Sequence, residues 1–112
     1  MQLLMSKQSK NNKINIYYCN RNNNYIVYNT RKEWKDEDGN CGHTHVEKYN
    51  TALYLADCVI HKKIPNRVNE YFLISLIRLS TDTKYIERIQ KRIDNKECKK
   101  TYRNVPKHFL KK

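Results

Sequence analysis

The fold class of this 112-residue chain is decided by Ile14-Asn-Ile-Tyr-Tyr-Cys-Asn-Arg-Asn-Asn-Asn-Tyr-Ile-Val-Tyr28. The two ends of this stretch are rich in β-branched and aromatic residues, which favour strands. The asparagines between them tolerate the left-handed backbone conformation found in turns. The stretch therefore predicts a β-hairpin, and residues 42–46 predict a third strand that completes an antiparallel meander.

Three helices are predicted in the second half of the chain. Residues 50–63 carry apolar side chains three and four positions apart, and Pro65 ends this helix. Residues 67–79 are apolar nearly all round, which predicts a buried second helix, and residues 80–98 predict a third. The predicted fold is α+β, with a small antiparallel three-stranded sheet in the N-terminal half packed against about three helices in the C-terminal half.

The length of the chain corresponds to one domain. Polar residues 1–12 predict a flexible N-terminus, residues 13–98 a single α+β domain and residues 99–112 a basic C-terminal tail. The sequence has no apolar run of about 18 residues and no signal-peptide core, so we expect no membrane partner and a cytoplasmic location, which for a viral protein is the host cytoplasm.

The charge of the chain is strongly positive and unevenly distributed. The formal net charge is +12, and the last 25 residues hold ten basic and two acidic side chains, so +8 of it lies there. On a helical wheel of the third helix, an isoleucine stripe faces one way and a cationic ridge the other. Such a ridge is a candidate surface for phosphate groups. A solvated tail that only keeps the protein soluble is the alternative.

Tyrosines interleaved with cations in the predicted sheet are a second binding feature. Aromatic rings beside cations stack on the bases of single-stranded nucleic acids. We expect Ile14, Ile16 and Tyr18 to face the helices, which leaves Tyr17 on the other face of the sheet. The residues predicted to bind nucleic acid or a partner are Lys84, Arg88, Lys91, Arg92, Lys99, Lys100, Arg103, Tyr17 and Arg21.

Cys41, His43 and His45 occupy alternate positions, so in a strand their side chains would point to the same side. A thiol and two imidazoles are zinc ligands, which makes zinc a candidate cofactor. The spacing is not that of the two close ligand pairs typical of structural zinc sites. The alternative is a hairpin with two surface histidines and no cofactor. The same histidines, with a lysine, could also supply the acid and base of a metal-independent ribonuclease.

The glycine content excludes several enzyme classes. With only two glycines, the chain cannot contain a phosphate-binding P-loop, a dinucleotide-binding loop or the nucleophile elbow of α/β-hydrolases. A protein without enzymatic activity is therefore favoured over an enzyme.

The predicted sheet, followed by a helix that begins Asn50-Thr-Ala52 and continues through Ala56, resembles DNA-binding domains of the AP2 and integrase-arm type. The resemblance covers about residues 14–62 and implies a three-stranded sheet that lies in the major groove of DNA. The chain lacks the glycine landmarks of those domains, and its last two helices have no counterpart there. The resemblance therefore implies a topology only.

Three functions follow from these features. The first is a small basic protein that binds DNA or RNA through phosphate contacts. The second is a phage-type effector without enzymatic activity that binds and inhibits a host protein, such as a polymerase or a nucleic-acid-guided nuclease. A sequence rich in Asn, Lys, Ile and Tyr, whose codons are AT-rich, suggests the second. The third is the histidine-dependent ribonuclease.

Overall fold

The computed structural model describes residues 1–34 and 41–95. These residues form four strands followed by three helices. In chain order the elements are β1 (Gln2–Gln8), β2 (Lys13–Cys19), β3 (Asn24–Asn29), β4 (His43–Val46), α1 (Tyr49–His61), α2 (Glu70–Leu79) and α3 (Thr83–Asp94). None of the helices in the described ranges has the length and apolar composition that a membrane crossing requires.

The four strands form one antiparallel sheet in the order β1-β2-β3-β4. The predicted α+β class is confirmed, with the sheet in the N-terminal half and the helices in the C-terminal half. The prediction of three strands is wrong, because β1 is a fourth strand within residues 1–12, the segment predicted to be flexible. This strand is polar or exposed at most positions and has little periodicity. Its backbone pairs with β2 from Gln2 opposite Tyr18 to Gln8 opposite Lys13, with one irregularity between Leu3 and Met5.

The predicted hairpin is formed by β2 and β3. Ile14 lies opposite Asn29 and Tyr18 opposite Tyr25. The turn contains Asn23 at a φ of 51°, a left-handed conformation that asparagine accepts more readily than most residues.

The two faces of the sheet have different surroundings. On the inner face, Ile14, Ile16, Val27 and Val46 are buried and join the helices in one hydrophobic core. This confirms the inward orientation predicted for the two isoleucines. Tyr17 alternates with Ile16 and Tyr18 along β2, so its side chain lies on the opposite, outer face.

The helices begin and end near the predicted positions. The N-cap residue of α1, Lys48, makes no side-chain cap hydrogen bond. The second helix is capped by Asn69, whose side chain accepts a hydrogen bond from the backbone N–H of Phe72, so α2 is shorter than the predicted 67–79. Asp82 caps α3 in the same way through the N–H of Tyr85.

Two buried asparagines connect the sheet to the helices. Asn29 is fully buried on the inner face, where its Nδ2 donates to Oδ1 of Asn12 at 2.7 Å and to the carbonyl of Leu79 at 2.6 Å. The Oδ1 of Asn29 accepts from the backbone N–H groups of Lys13 and Arg31. Every polar atom of this buried amide therefore has a partner, as burial requires.

Asn12 extends the same network to the start of α3. Its Oδ1 accepts from both the backbone N–H and the hydroxyl of Thr81, at 3.2 and 3.0 Å. Since Leu79 is the last residue of α2, the two amides hold the α2–α3 junction against the β1–β2 turn and the end of β3.

Replacing Asn29 by alanine should destabilise the protein by about 3 kcal/mol, because the exchange removes two donated bonds and leaves the carbonyl of Leu79 and two backbone N–H groups without partners. Urea unfolding should show a lower midpoint at an unchanged slope. The matched control is Asn22→Ala in the exposed β2–β3 turn, which should change the stability by less than about 0.5 kcal/mol. Equal effects of the two substitutions would contradict the role of the network.

Candidate nucleic-acid interface

The orientation of α3 is set by a buried side. Tyr85, Ile89 and Ile93 are buried in the core. The hydroxyl of Tyr85 donates to the backbone carbonyls of Lys63, at 2.5 Å, and Cys58, at 3.3 Å, and burial raises the pKa of this phenol. Burial likewise raises the pKa of the Cys58 thiol to about 11. Because α3 is anchored to the C-terminal end of α1 in this way, its opposite side is held toward solvent.

Three cations on that opposite side form the cationic face, which we define as Lys84, Arg88 and Lys91. All three side chains are exposed. Within the described residues the ion pairs are Lys62 with Asp82, and Lys63 and His61 with Asp57, so none involves the cationic face. Lys84, Arg88 and Lys91 are therefore candidates to contact an external anion.

Arg92 was predicted to belong to this ridge, but the structure assigns it a different position. Its side chain is half-buried, and its guanidinium donates to the carbonyls of Ile64 and Asn66 at 3.3 and 3.5 Å. It holds the α1–α2 loop against α3. Arg67, the next residue of that loop, is exposed. It is not among the predicted site residues, because the bonds from Tyr85 and Arg92 that hold this loop to α3 join residues far apart in the sequence.

The lysines of the α1–α2 loop differ from those of α3. The Nζ of Lys62 lies 2.8 Å from a carboxylate oxygen of Asp82, and the Nζ of Lys63 lies 3.1 Å from one of Asp57. The hydrogen bonds from these lysines lower the pKa of both carboxyl groups. Loop charge is thus partly neutralised, whereas no ion pair among residues 1–34 and 41–95 neutralises the cationic face.

The outer face of the sheet carries a second set of candidate residues. In the strand register Tyr28 lies opposite His43, and Ile26 lies between Tyr17 and His45. Asn15 donates from Nδ2 to the hydroxyl of Tyr17 at 2.9 Å. Four strand residues and Trp34, which follows β3, form a group of rings that we call the aromatic patch. Its members are Tyr17, Tyr28, Trp34, His43 and His45.

Trp34 completes the patch by stacking on His43. The two ring centroids are 3.6 Å apart, the planes are 11° from parallel, and the Nδ1 of His43 lies 3.0 Å from the carbonyl oxygen of Trp34. Gly42 allows this approach, since a Cβ there would lie 2.7 Å from the carbonyl oxygen of Glu33. Tyr28 meets the indole edge-on at 5.3 Å, and His45 meets His43 at 5.2 Å.

The pKa of each histidine in the patch is lowered from its ordinary value of 6.5. Burial is the main cause for both. The positive charge of Arg78 acts in the same direction on each of them, and His45 adds to the effect on His43, while the bond to the Trp34 carbonyl opposes it. The lowered pKa favours the neutral form of both rings.

The predicted metal ligands share one region without forming a complete site. His43 and His45 lie on the same face of β4, as predicted, and Cys41 precedes the strand. Residues 1–34 and 41–95 contain no group of three or more His, Cys, Asp or Glu side chains that could hold a metal ion. Cys19 and Cys58 are buried free thiols.

The remaining predicted site residues are not brought to the cationic face. Tyr17 lies on the outer face of the sheet, and Arg21 is exposed in the β2–β3 turn, whereas α3 belongs to the helical layer on the inner face. Lys99, Lys100 and Arg103 lie outside the described residues. The structure therefore presents two separate surfaces, the cationic face and the aromatic patch. Comparison of the chain with protein-family models, curated proteins and solved structures gives no match.

The lowered pKa of the histidines predicts a pH dependence of stability. Below pH 6.5, the ordinary value, the unfolded chain binds more protons than the folded chain, so the free energy of unfolding should fall as the pH decreases. Asp57 and Asp82, whose pKa values are lowered from 3.8, contribute only at more acidic pH. Urea unfolding at pH 7.5, 6.5 and 5.5 measures the effect.

The double substitution His43→Gln and His45→Gln should reduce this loss of stability between pH 7.5 and 5.5. His61→Gln, at an exposed position outside the patch, is the matched control. An unchanged pH dependence in the double variant would show that the patch histidines are not the groups responsible.

Proposed function

We propose that the protein binds nucleic acid through phosphate contacts made by the cationic face. The observation that carries the proposal is the set of three exposed cations on one side of an anchored helix, without an ion pair among the described residues. Phosphate contacts from lysine and arginine supply most of the affinity in binding that is independent of sequence.

Two further observations support a polyanionic ligand. The chain carries a net charge of +12, which favours rapid encounter with nucleic acid at low salt. The loop that carries the exposed Arg67 is held to α3 by Arg92, and Asp82, at the start of α3, is already paired with Lys62. Contacts from lysine and arginine to phosphate groups do not distinguish one base from another, so the proposed binding through this face is independent of sequence.

The double substitution Arg88→Glu and Lys91→Glu should weaken binding to DNA or RNA by at least about tenfold at 100 mM salt, because two phosphate contacts become repulsive. The slope of log affinity against log salt should fall in magnitude by about two. Fluorescence anisotropy of a labelled oligonucleotide measures both quantities.

The matched control is Lys10→Glu with Lys48→Glu, which changes the net charge equally at exposed positions outside α3. The control should bind within about threefold of the wild-type protein. Equal losses in both variants would mean that bulk charge, and not the cationic face, binds the nucleic acid. Wild-type binding without salt dependence would contradict the proposed function.

A second candidate function is the effector that binds and inhibits a host protein. One observation favours it: β1 is an edge strand with exposed apolar side chains, Leu3 at 53% and Leu4 at 39%. An open, apolar edge is a surface on which a protein partner can add a strand. Recovery of one stoichiometric host protein after nuclease treatment, together with no affinity for free nucleic acid, would support this function over the first.

A further inference from the structure

The outer face of the sheet lies outside the hydrophobic core. Ile26 is only 3% exposed and Cys19 is 8% exposed, yet neither belongs to the core cluster that the helices share with the inner face. Ile26 lies instead between the side chains of Tyr17 and His45 on the neighbouring strands. The rings of the aromatic patch therefore form the surface layer of this face.

We propose that the aromatic patch is a stacking platform for the unpaired bases of a single-stranded nucleic acid. The inference rests on the proposed function and adds to it the strandedness of the ligand and a second contact surface. Aromatic rings bind unpaired bases of any sequence, because every base has a π-face. In a duplex the bases are already stacked on one another, so only a single strand can use the patch.

Trp34 is the ring best placed to receive a base. Its indole remains 39% exposed while stacked on His43. The backbone N–H of Gly42 donates to the carbonyls of Glu33 and Trp34, at 3.0 and 3.3 Å, which holds the end of the loop against β4. A platform that is ordered before binding loses little conformational entropy when a base stacks on it.

The neighbouring rings continue the platform. Tyr28 meets the indole at 5.3 Å, and its hydroxyl is held by the carbonyl of Lys32 at 2.7 Å. Tyr17 lies opposite Ile26 of the neighbouring strand, and its hydroxyl accepts a hydrogen bond from the side chain of Asn15. The patch thus spans three adjacent strands, which is room for successive bases.

The charges around the patch complement a phosphate backbone. The four strands contain no Asp or Glu. Lys13 lies on the outer face of β2, Arg31 is exposed after β3, and the charge of Arg78 acts on both patch histidines. Glu33 is exposed next to Trp34, so we expect the phosphates to follow the side of Lys13 and Arg31. Asp36, Glu37 and Asp38 lie outside the described residues.

The test compares single strands with duplexes on the full-length protein. Trp34 is the sole tryptophan, so its fluorescence reports directly on the patch. Titration with 12-nucleotide dT and rU oligomers should quench this fluorescence, and a duplex of the same length should not. By anisotropy, Trp34→Leu combined with Tyr17→Leu should weaken single-strand binding by roughly tenfold or more and leave duplex binding unchanged.

Tyr54→Leu is the matched control, because Tyr54 is 45% exposed on α1 and its ring contacts Phe72 of α2, away from the patch. This variant should bind single strands as the wild-type protein does. Circular dichroism and thermal unfolding verify that each variant is folded.

The outcomes separate the inference from the proposed function. One outcome is equal affinity of the wild-type protein for single strands and duplexes, with binding lost in the Arg88→Glu, Lys91→Glu variant and unchanged in the patch variant. This outcome overturns the inference and leaves the proposed function standing. A second outcome is that single strands still quench the fluorescence of Trp34 in the Arg88→Glu, Lys91→Glu variant. This outcome supports the inference and overturns the proposed role of the cationic face. The absence of binding to either ligand overturns both.

Discussion

The architecture depends on the buried amide of Asn29. A primary amide without water is costly unless all of its donors and acceptors are paired. The hydrogen-bond partners of the Asn29 amide are the backbone N–H of Lys13 in β2, the Oδ1 of Asn12 and the carbonyl of Leu79, the last residue of α2. A slip of β3 by one residue would move Asn29 to the outer face and break every one of these bonds. The network therefore specifies both the strand register and the place where the helical layer meets the sheet.

Once the helices are held on the inner face, the two candidate surfaces follow. Thr44 and Ser75 share a hydrogen bond of 3.1 Å, and the hydroxyl of Tyr71 donates to the carbonyl of His45 at 2.8 Å, so α2 stays against β4. The outer face is left to its own aromatic side chains. Tyr85, bonded to the end of α1, turns α3 so that Ile89 and Ile93 enter the core. Lys84, Arg88 and Lys91 then face solvent.

Local patterns predicted the hairpin and the amphipathic third helix because strand propensity, turn chemistry and helical periodicity all act over short distances. They missed β1, which pairs with β2 through its backbone and packs Met5 against the core. They also placed Arg92 on the free ridge, since a helical wheel does not show the carbonyls of Ile64 and Asn66. The stack of Trp34 on His43 joins residues nine positions apart, and the close approach at Gly42 permits it. A chemical site of this kind has no signature in sequence spacing.

We propose that one anchored scaffold presents nucleic acid with a cationic face and an aromatic patch on separate sides. Both surfaces can be observed at once in backbone amide NMR spectra of the full-length protein, recorded while a 12-nucleotide single strand is added. We expect chemical-shift changes along α3 around Arg88 and on the outer face around Trp34 and His43. The inner-face amides around Ile16 should stay unchanged. Shifts confined to other parts of the chain, or no shifts at a saturating concentration at low salt, would contradict it.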